Sequence, residues 1–572
     1  MGNQFECQDL LKLINGTTLL PYETENLHGY WISDALGGRI QIPKEQTHSS
    51  PQPILISAPT GCGKTHYVCQ NLVKQVQAFD GYVLILTNRS ALALQEKYSL
   101  VNTPGGWIPS SANLTALSVF EGAIVLNYQG VLAQIQELKK YPIRAIVFDE
   151  IHFLCTDAMF NTYTQIIYQQ ILRNFFHAKR IYLSATPEDV RPIIAYEEKL
   201  LLNRIMGQPN GIAQISQGRQ PYSTIKEYTM NRTRAMNLEL FDEWAQLEKE
   251  ILSDGSKEKW VVFTSSKEEG KQLKKRLNRG RKIAEYFDAF YKEQHSQAFR
   301  DLARTERFQS KVLISTSVLD NGVNFHDDLL KHVVVDSRDK VQIIQMVGRK
   351  RLRDGESLTI HIKNTTEKEI RSEITVLEAK QRLLRELAVQ PEYAFCQRWG
   401  TLSESDQYLI GVYPNLIQTG QAPQGVTFFT NGYAQMQIDC LLRRLEKLKD
   451  RFVLEGECAF ANELREWFPQ AVSDVPNNGY STRTAVFLSL KQYLEQRENK
   501  PVSKAEAESM AQDMVRMLSH LDITQRTKKI RAGKSRTVAN MNRMINALGL
   551  PFQVKLRDNQ VWILRKTEEN EN

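Results

Sequence analysis

The 572-residue chain predicts an α/β protein: two tandem domains built on parallel sheets, followed by a mostly helical C-terminal region. Three observations carry that expectation. From Ile54 onward, short apolar runs alternate with helix-length amphipathic segments, the pattern of buried parallel strands wrapped by helices. The alternation breaks in a polar, turn-rich stretch within 200–225 (GQPNGIAQISQGRQP) and then begins again. Past Ile362 the period lengthens to that of long helices. Chain length agrees, because a single hydrophobic core stops growing well below this size.

Taken in order, residues 1–50 form a lead-in that ends in the polar run THSSPQP. The first domain, 51–210, has expected strands at Ile54–Ser57, Tyr82–Thr87, Ala123–Leu126, Ala145–Phe148 and Ile181–Ser184. Helices are expected between them at Lys64–Gln77, Ser90–Tyr98 and Gln129–Lys139. The second domain, 211–365, has expected strands at Trp260–Thr264, Val312–Thr316, His332–Val335 and Leu358–Ile362, with helices at Lys267–Leu277 and Val341–Val347. Region 366–500 reads as helical: Ile370, Ile374, Leu377, Leu384 and Leu387 share one face, and 437–452 repeats the pattern. Region 501–572 reads as helix Lys504–Leu521, a basic linker, helix Val538–Leu548, then strands Phe552–Leu556 and Val561–Leu564.

The bulk properties exclude several classes. The longest apolar runs are strand-sized, so no membrane-spanning helix is expected, and MGNQFECQDL has no signal-peptide pattern. Seven scattered cysteines with no C-x-x-C pair argue against a zinc or redox motif and fit a reduced, cytoplasmic setting. The net charge of +8 is concentrated: residues 523–566 hold eleven Lys/Arg against the single acid Asp558, which leaves the rest of the chain slightly acidic. A basic segment on a near-neutral body points to a polyanionic partner.

Four strings carry chemistry. APTGCGKT (Ala58–Thr65) follows a strand and opens a helix. In that context backbone amides around Gly61 and Gly63, together with the helix N-terminus, cradle phosphates. Lys64 would neutralise the β- and γ-phosphates, and the Thr65 hydroxyl would ligate Mg2+. DEIH (Asp149–His152) ends a strand at the sheet edge where ligands bind. Asp149 would hold Mg2+ through water, and Glu150 would position and deprotonate the attacking water. SAT (Ser184–Thr186) and QMVGRKR (Gln345–Arg351) complete the set.

Together the strings resemble motifs I, II, III and VI of the superfamily 2 DExD/H-box helicases, including those of bacterial plasmids, phages and integrative elements. TNRSALALQ (Thr87–Gln95) resembles motif Ia, NYQ (Asn127–Gln129) a later strand-contacting motif, VVFTSSKEEGKQL (Val261–Leu273) motif IV, and ISTSVLDNGVN (Ile314–Asn324) motif V. The resemblance spans roughly residues 50–365 and implies two RecA-like domains with ATP between them. It implies that Gln345, Arg349 and Arg351 reach the γ-phosphate from the second domain, with Gly322 and Asn324 beside the nucleotide. Leu352 stands where the commonest pattern has its last arginine, so Arg351 and Arg353 both remain candidates for the second finger. Ser184 and Thr186 would couple the metal site to strand engagement. Arg89, Tyr128, Thr264 and Thr316 match backbone-contacting positions of the family, which fix register without reading sequence. No glutamine motif for adenine is legible before Ile54; Tyr30 and Trp31 could stack on a base, but read rather as buried core aromatics.

The C-terminal helices and hairpin resemble a winged-helix module. There Lys528, Lys529, Arg531, Lys534 and Arg536 would contact phosphates. The expected activity is an ATP- and Mg2+-dependent helicase or translocase on nucleic acid, DNA favoured over RNA. The alternative is an ATP-switched binding subunit that does not unwind. A protein partner supplying a nuclease or a loading function is a further expectation.

Overall fold

The computed structural model describes residues 18–44, 50–88, 117–207, 222–230, 236–287, 301–302, 304–316, 323–353, 355–387, 402–403, 406, 409–414, 426–468, 482–518, 537–557 and 560–565. The expected helix Ser90–Tyr98 lies outside them, as do Arg89, Gly322, Lys528, Lys529, Arg531, Lys534 and Arg536.

The first sheet uses β1 (Tyr22–Leu27), β2 (Ile54–Ser57), β3 (Tyr82–Thr87), β4 (Ser118–Phe120), β5 (Ala123–Asn127), β6 (Ile143–Phe148), β7 (Lys179–Ser184) and β8 (Ile225–Met230). Among the described residues they lie in the order β1-β8-β2-β7-β6-β3-β5-β4. All pairs are parallel except β4 with β5. The central strands are apolar throughout because helices cover both faces. Leu55, Leu84 and Leu86 face one core, and Ile54, Ile56, Val83 and Ile85 face the other, as the two-residue period of a strand dictates. The lead-in supplies β1, whose polar sequence YETENL suits an edge paired only through β8. The strand after the polar 200–225 stretch, β8, joins this first sheet before the chain enters the second.

The second sheet uses β9 (Met236–Phe241), β10 (Lys259–Phe263), β11 (Ala284–Phe287), β12 (Val312–Ser315), β13 (Leu330–Val335) and β14 (Leu358–Lys363). It is parallel throughout, in the order β11-β12-β10-β13-β14-β9. Helix Lys267–Leu277 forms where its spacing predicts, capped by the Ser266 side chain, which accepts from the Glu269 amide. Helix Lys340–Gly348 is capped in the same way by Asp339.

Helices Glu367–Leu387 and Gly432–Glu455 follow. The second is tied to the first α/β unit, because Asn431 donates to the carbonyls of Ala158 and Asn161, and the Tyr433 hydroxyl donates to Glu197. Its Arg444 forks onto Asp189 at 2.6 Å and reaches Asp339 of the second unit at 3.3 Å. One continuous apolar cluster runs through both sheets and this helix, including Leu84, Val261, Phe263 and Tyr433. The C-terminal segment has a separate core built on Phe487, Met510, Met514, Ile545 and Phe552. Its order is helix Thr482–Glu495, a short strand Pro501–Val502, helices Lys504–Leu518 and Thr537–Ala547, and a hairpin of Phe552–Arg557 with Gln560–Arg565. The three strands form one small sheet. Among the described residues no helix is long and apolar enough to cross a membrane.

Candidate active site

The loop after β2 turns through Gly61 (φ 78°) and Gly63 (φ 82°), left-handed conformations that glycine adopts without strain. The helix then begins at Lys64. It runs as α-helix to Tyr67, loosens to a π turn over Val68–Leu72, and resumes over Val73–Gln77. Lys64 is buried, and its Nζ donates to the carbonyls of Ala58 at 2.7 Å and Pro59 at 3.3 Å. The Ala58 amide is held by the Ser184 carbonyl at 3.1 Å, which joins the loop to SAT.

Asp149 and Glu150 follow β6, both buried. Glu150 has φ 49°, a left-handed conformation costing about 1–2 kcal/mol for a residue with a Cβ. The backbone on both sides is pinned: the Asp149 amide donates to Leu86, Ile151 to Leu183, and Phe153 to Glu150 itself, each at 2.9 Å. Burial alone would raise the Glu150 carboxyl. Lys64, His152, Arg349 and Arg351 outweigh it and hold the carboxyl below its ordinary range.

His152, whose role the sequence did not disclose, joins the groups. Its Nδ1 lies 3.3 Å from Ser184 Oγ and 3.5 Å from Glu150 Oε2, and its Nε2 meets the Gln345 side-chain amide. Burial, opposed by Glu150 and aided by Arg349 and Lys64, lowers its pKa to about 4, so the ring is neutral at neutral pH. Gln345 therefore donates to a lone pair on Nε2, and the Nδ1–H faces Ser184. Ser184 Oγ also accepts from the Thr186 amide at 3.0 Å. The signal was in the sequence all along, as the fourth letter of DEIH.

From the second unit, Arg349 Nη2 stands 3.6 Å from Glu150 Oε1. Arg351 Nη2 donates to Asn324 Oδ1 at 2.5 Å, while Arg353 Nη1 pairs with Asp328 at 3.1 Å. The backbone beside them is stitched, with Phe325 N donating to the Arg349 carbonyl at 2.8 Å and Arg351 N to the Phe325 carbonyl at 3.0 Å. Gly348 lies against Thr60 of the phosphate loop so closely that a Cβ there would meet its hydroxyl at 1.9 Å. The two units enclose a cleft of about 980 Å³, lined by Gly61, Gly63, Lys64, Thr65, Asp149 and Glu150 on one side and by Asn324, Arg349, Arg351 and Arg353 on the other.

Two expectations are corrected. Trp31 is not a core aromatic: it is 46% exposed, lines this cleft and lies over Gly63, with Tyr30 edge-on at 5.0 Å. The Ile32 amide, donating to Cys62 O at 2.9 Å, fixes that segment to the loop. Tyr128 is not placed to touch a nucleic-acid strand. It is fully buried, stacked on Phe153 at 4.4 Å, and its hydroxyl donates to the Asp149 carbonyl at 3.0 Å. Thr264 and Thr316 come together at the ends of β10 and β12, both buried, with the Thr264 amide on the Ser315 carbonyl at 2.8 Å.

Residues 32–189 match the family model described as type III restriction enzyme, res subunit. Among curated proteins none matches the chain. Among solved structures, the Mycobacterium smegmatis helicase Lhr bound to single-stranded DNA and AMP-PNP aligns at 18% identity and TM-score 0.39, over 59% of this chain and 46% of that one. The present chain thus spans less than half of that structure. Dbp5 of S. cerevisiae, bound to RNA and ADP BeF3, aligns at 15% identity and TM-score 0.39, over 55% of this chain and 79% of that one. The helicase MrfA bound to DNA aligns at 18% and TM-score 0.38, over 63% and 56%. The family match falls on the part of the first sheet that carries the phosphate loop, DEIH and SAT.

Proposed function

We propose that the chain is a nucleic-acid-stimulated ATPase that moves along or unwinds nucleic acid, DNA in preference to RNA. One observation carries the reading: Gln345 and Arg349 of the second unit meet His152 and Glu150 of the first across the cleft. A bound triphosphate would lie along the Gly61–Gly63 turn. Lys64 would exchange its loop carbonyls for phosphate oxygens, and Arg349 would turn from Glu150 to the transferring phosphoryl group. An arginine in that place is worth on the order of 10³–10⁵ in rate. Glu150, ionised and held by its left-handed backbone, would orient the attacking water and take its proton. Thr65 and Asp149 fit a hard cation, offering a hydroxyl and a carboxylate at the same cleft wall. Mg2+ bound there would neutralise charge on the β- and γ-phosphates.

Asn324 holds Arg351 in the cleft while Asp328 engages Arg353, which favours Arg351 as the second arginine. Trp31 and Tyr30 would offer an aromatic face to the base. The domains of this reading are a first motor unit at 51–210, a second at 211–365, a helical region at 366–500 and a basic winged-helix-like unit at 501–572. In that last unit Lys528, Lys529, Arg531, Lys534 and Arg536 would contact phosphates. The helix–strand–helix–helix–hairpin order of the C-terminal segment also favours a second reading, an ATP-switched clamp that binds without unwinding.

The test is ATPase and strand displacement on single-stranded, forked and duplex DNA and RNA. Glu150→Gln should abolish turnover and leave nucleic-acid binding largely intact. Wild-type turnover in that variant would sink the assignment. Turnover stimulated by single strands without displacement or translocation would select the clamp. Replacing the five basic residues by Gln should flatten the salt dependence of binding, and an unchanged slope would remove them from the interface.

A further inference from the structure

Outside the cleft, the second sheet carries a linked set of polar groups that the motor chemistry does not use. His361 on β14 and Glu239 on β9 are register partners, and Glu250 reaches them from helix Trp244–Ser253. His361 is 2% exposed, whereas the two carboxylates are each a little under half exposed. Its Nδ1 lies 3.2 Å from Glu239 Oε2 and 3.9 Å from Glu250 Oε1. All three ligand-capable atoms fall within 4.8 Å of one another.

The proton positions follow from the other side of the ring. Glu258 lies 3.1 Å from His332 Nε2, and in the tautomer where that nitrogen carries the hydrogen it donates to the carboxylate. His332 Nδ1 is then a lone pair, and at 3.0 Å it accepts the Nε2–H of His361. His361 Nδ1 is in turn a lone pair, aimed between two carboxylates. Trp260, stacked on His332 at 3.8 Å and 6°, fixes the ring that begins this relay. Three ligand-capable atoms thus converge at one place, and carboxylate–histidine chains of this type are how proteins orient metal-binding imidazoles.

We propose that His361 Nδ1, Glu239 and Glu250 form a divalent transition-metal site, with zinc the best-matched ion. One imidazole and two carboxylates suit a borderline cation, and the exposed side leaves a fourth position for water. Metal–ligand distances of about 2.0–2.1 Å place tetrahedral ligand atoms roughly 3.3 Å apart, which matches the 3.2 Å between His361 and Glu239 and would need the part-exposed Glu250 side chain to move in from 3.9 Å. The ion would clamp edge strand β9 and helix Trp244–Ser253 to β14.

The experiment uses the full chain, stripped with chelator, titrated with Zn2+ by calorimetry and with Co2+ by visible absorption. One equivalent should bind, with the d–d intensity of a four-coordinate ion, and should raise the thermal midpoint. Glu239→Gln and Glu250→Gln change half-exposed side chains, and circular dichroism would verify their folding. Each should weaken Zn2+ by roughly tenfold or more, whereas Asp149→Asn, which alters the cleft, should leave this equivalent in place. Absence of a bound equivalent, or unchanged affinity in the Glu239→Gln/Glu250→Gln double variant, would overturn the proposal.

Discussion

Gly348 gives the most direct test of closure between the two units. A Cβ at this position would lie 1.9 Å from Thr60 Oγ1, 2.7 Å from Cγ2 and 2.6 Å from Cβ. Rotating the Thr60 side chain moves the first two atoms but not its Cβ, which the backbone holds. Gly348→Ala must therefore open the interface by about 0.8 Å, the shortfall between 2.6 Å and the 3.4 Å at which ordinary contact begins. Arg349 is the next residue, and its guanidinium is carried away from the Glu150 side by the same shift. Misplacement on the 1 Å scale costs on the order of 10²-fold in rate. The expected result is a fall in kcat of roughly 10- to 100-fold in a nucleic-acid-stimulated ATPase assay. Binding of a fluorescent nucleotide should change less than kcat, because the atoms nearest the added Cβ belong to Thr60 rather than to the Gly61–Gly63 turn or Lys64. Thr60→Gly on the same background removes all three contacting atoms and should restore part of the loss. Wild-type kcat in Gly348→Ala would refute the argument that this contact sets the geometry of the arginine.

Three further outcomes follow from the same region. Tyr128→Phe removes the hydroxyl that donates to the Asp149 carbonyl, at about 1 kcal/mol of stability by denaturant titration, with single-strand affinity unchanged. Weakened strand binding would return Tyr128 to the interface. His152, held near pKa 4 against an ordinary 6.5, binds fewer protons folded than unfolded between those values. Its contribution is therefore complete above about pH 6.5 and is lost as pH falls toward 4, so thermal melts of His152→Asn should show a shallower acid slope than wild type. An identical slope would assign that loss elsewhere. Arg444→Met leaves Asp189 and the part-buried Asp339 without their shared cation. Allowing for partial exposure, it should cost about 1–3 kcal/mol, read as a lower melting midpoint; an unshifted midpoint would show that the strut is not energetic.

The sequence disclosed the elements whose physics is local. β2 and β3 coincide with the apolar runs Ile54–Ser57 and Tyr82–Thr87, because a strand covered on both faces has no polar residues to blur its ends. β1 and β8 were not legible for the opposite reason. YETENL is an edge strand with most side chains at the surface. IKEYTM, though paired on both sides and largely buried, is interrupted by Lys226, Glu227 and Thr229, so neither reads as an apolar run. The π turn at Val68–Leu72 was equally hidden, since VCQNL carries no residue that breaks a helix.

For the site, spacing identified which residues carry charge but not which way they point. NYQ placed Tyr128 at the right strand end, yet whether its ring faces a strand or the core depends on Phe148 and Phe153, which stack with it from elsewhere in the chain. Trp31 erred in the other direction: an aromatic beside Ile32 is ordinarily core, but the amide of Ile32 is tied to Cys62 of the phosphate loop, and that bond carries the indole onto the cleft rim. Gly348 and His152 share the same difficulty. Each acts only across the interface, on Thr60 and Gln345 respectively, and a contact between residues 193 or more positions apart leaves no trace in local periodicity. The candidate site was therefore readable as a set of groups, while its coupling resides in the few atoms where the two units meet.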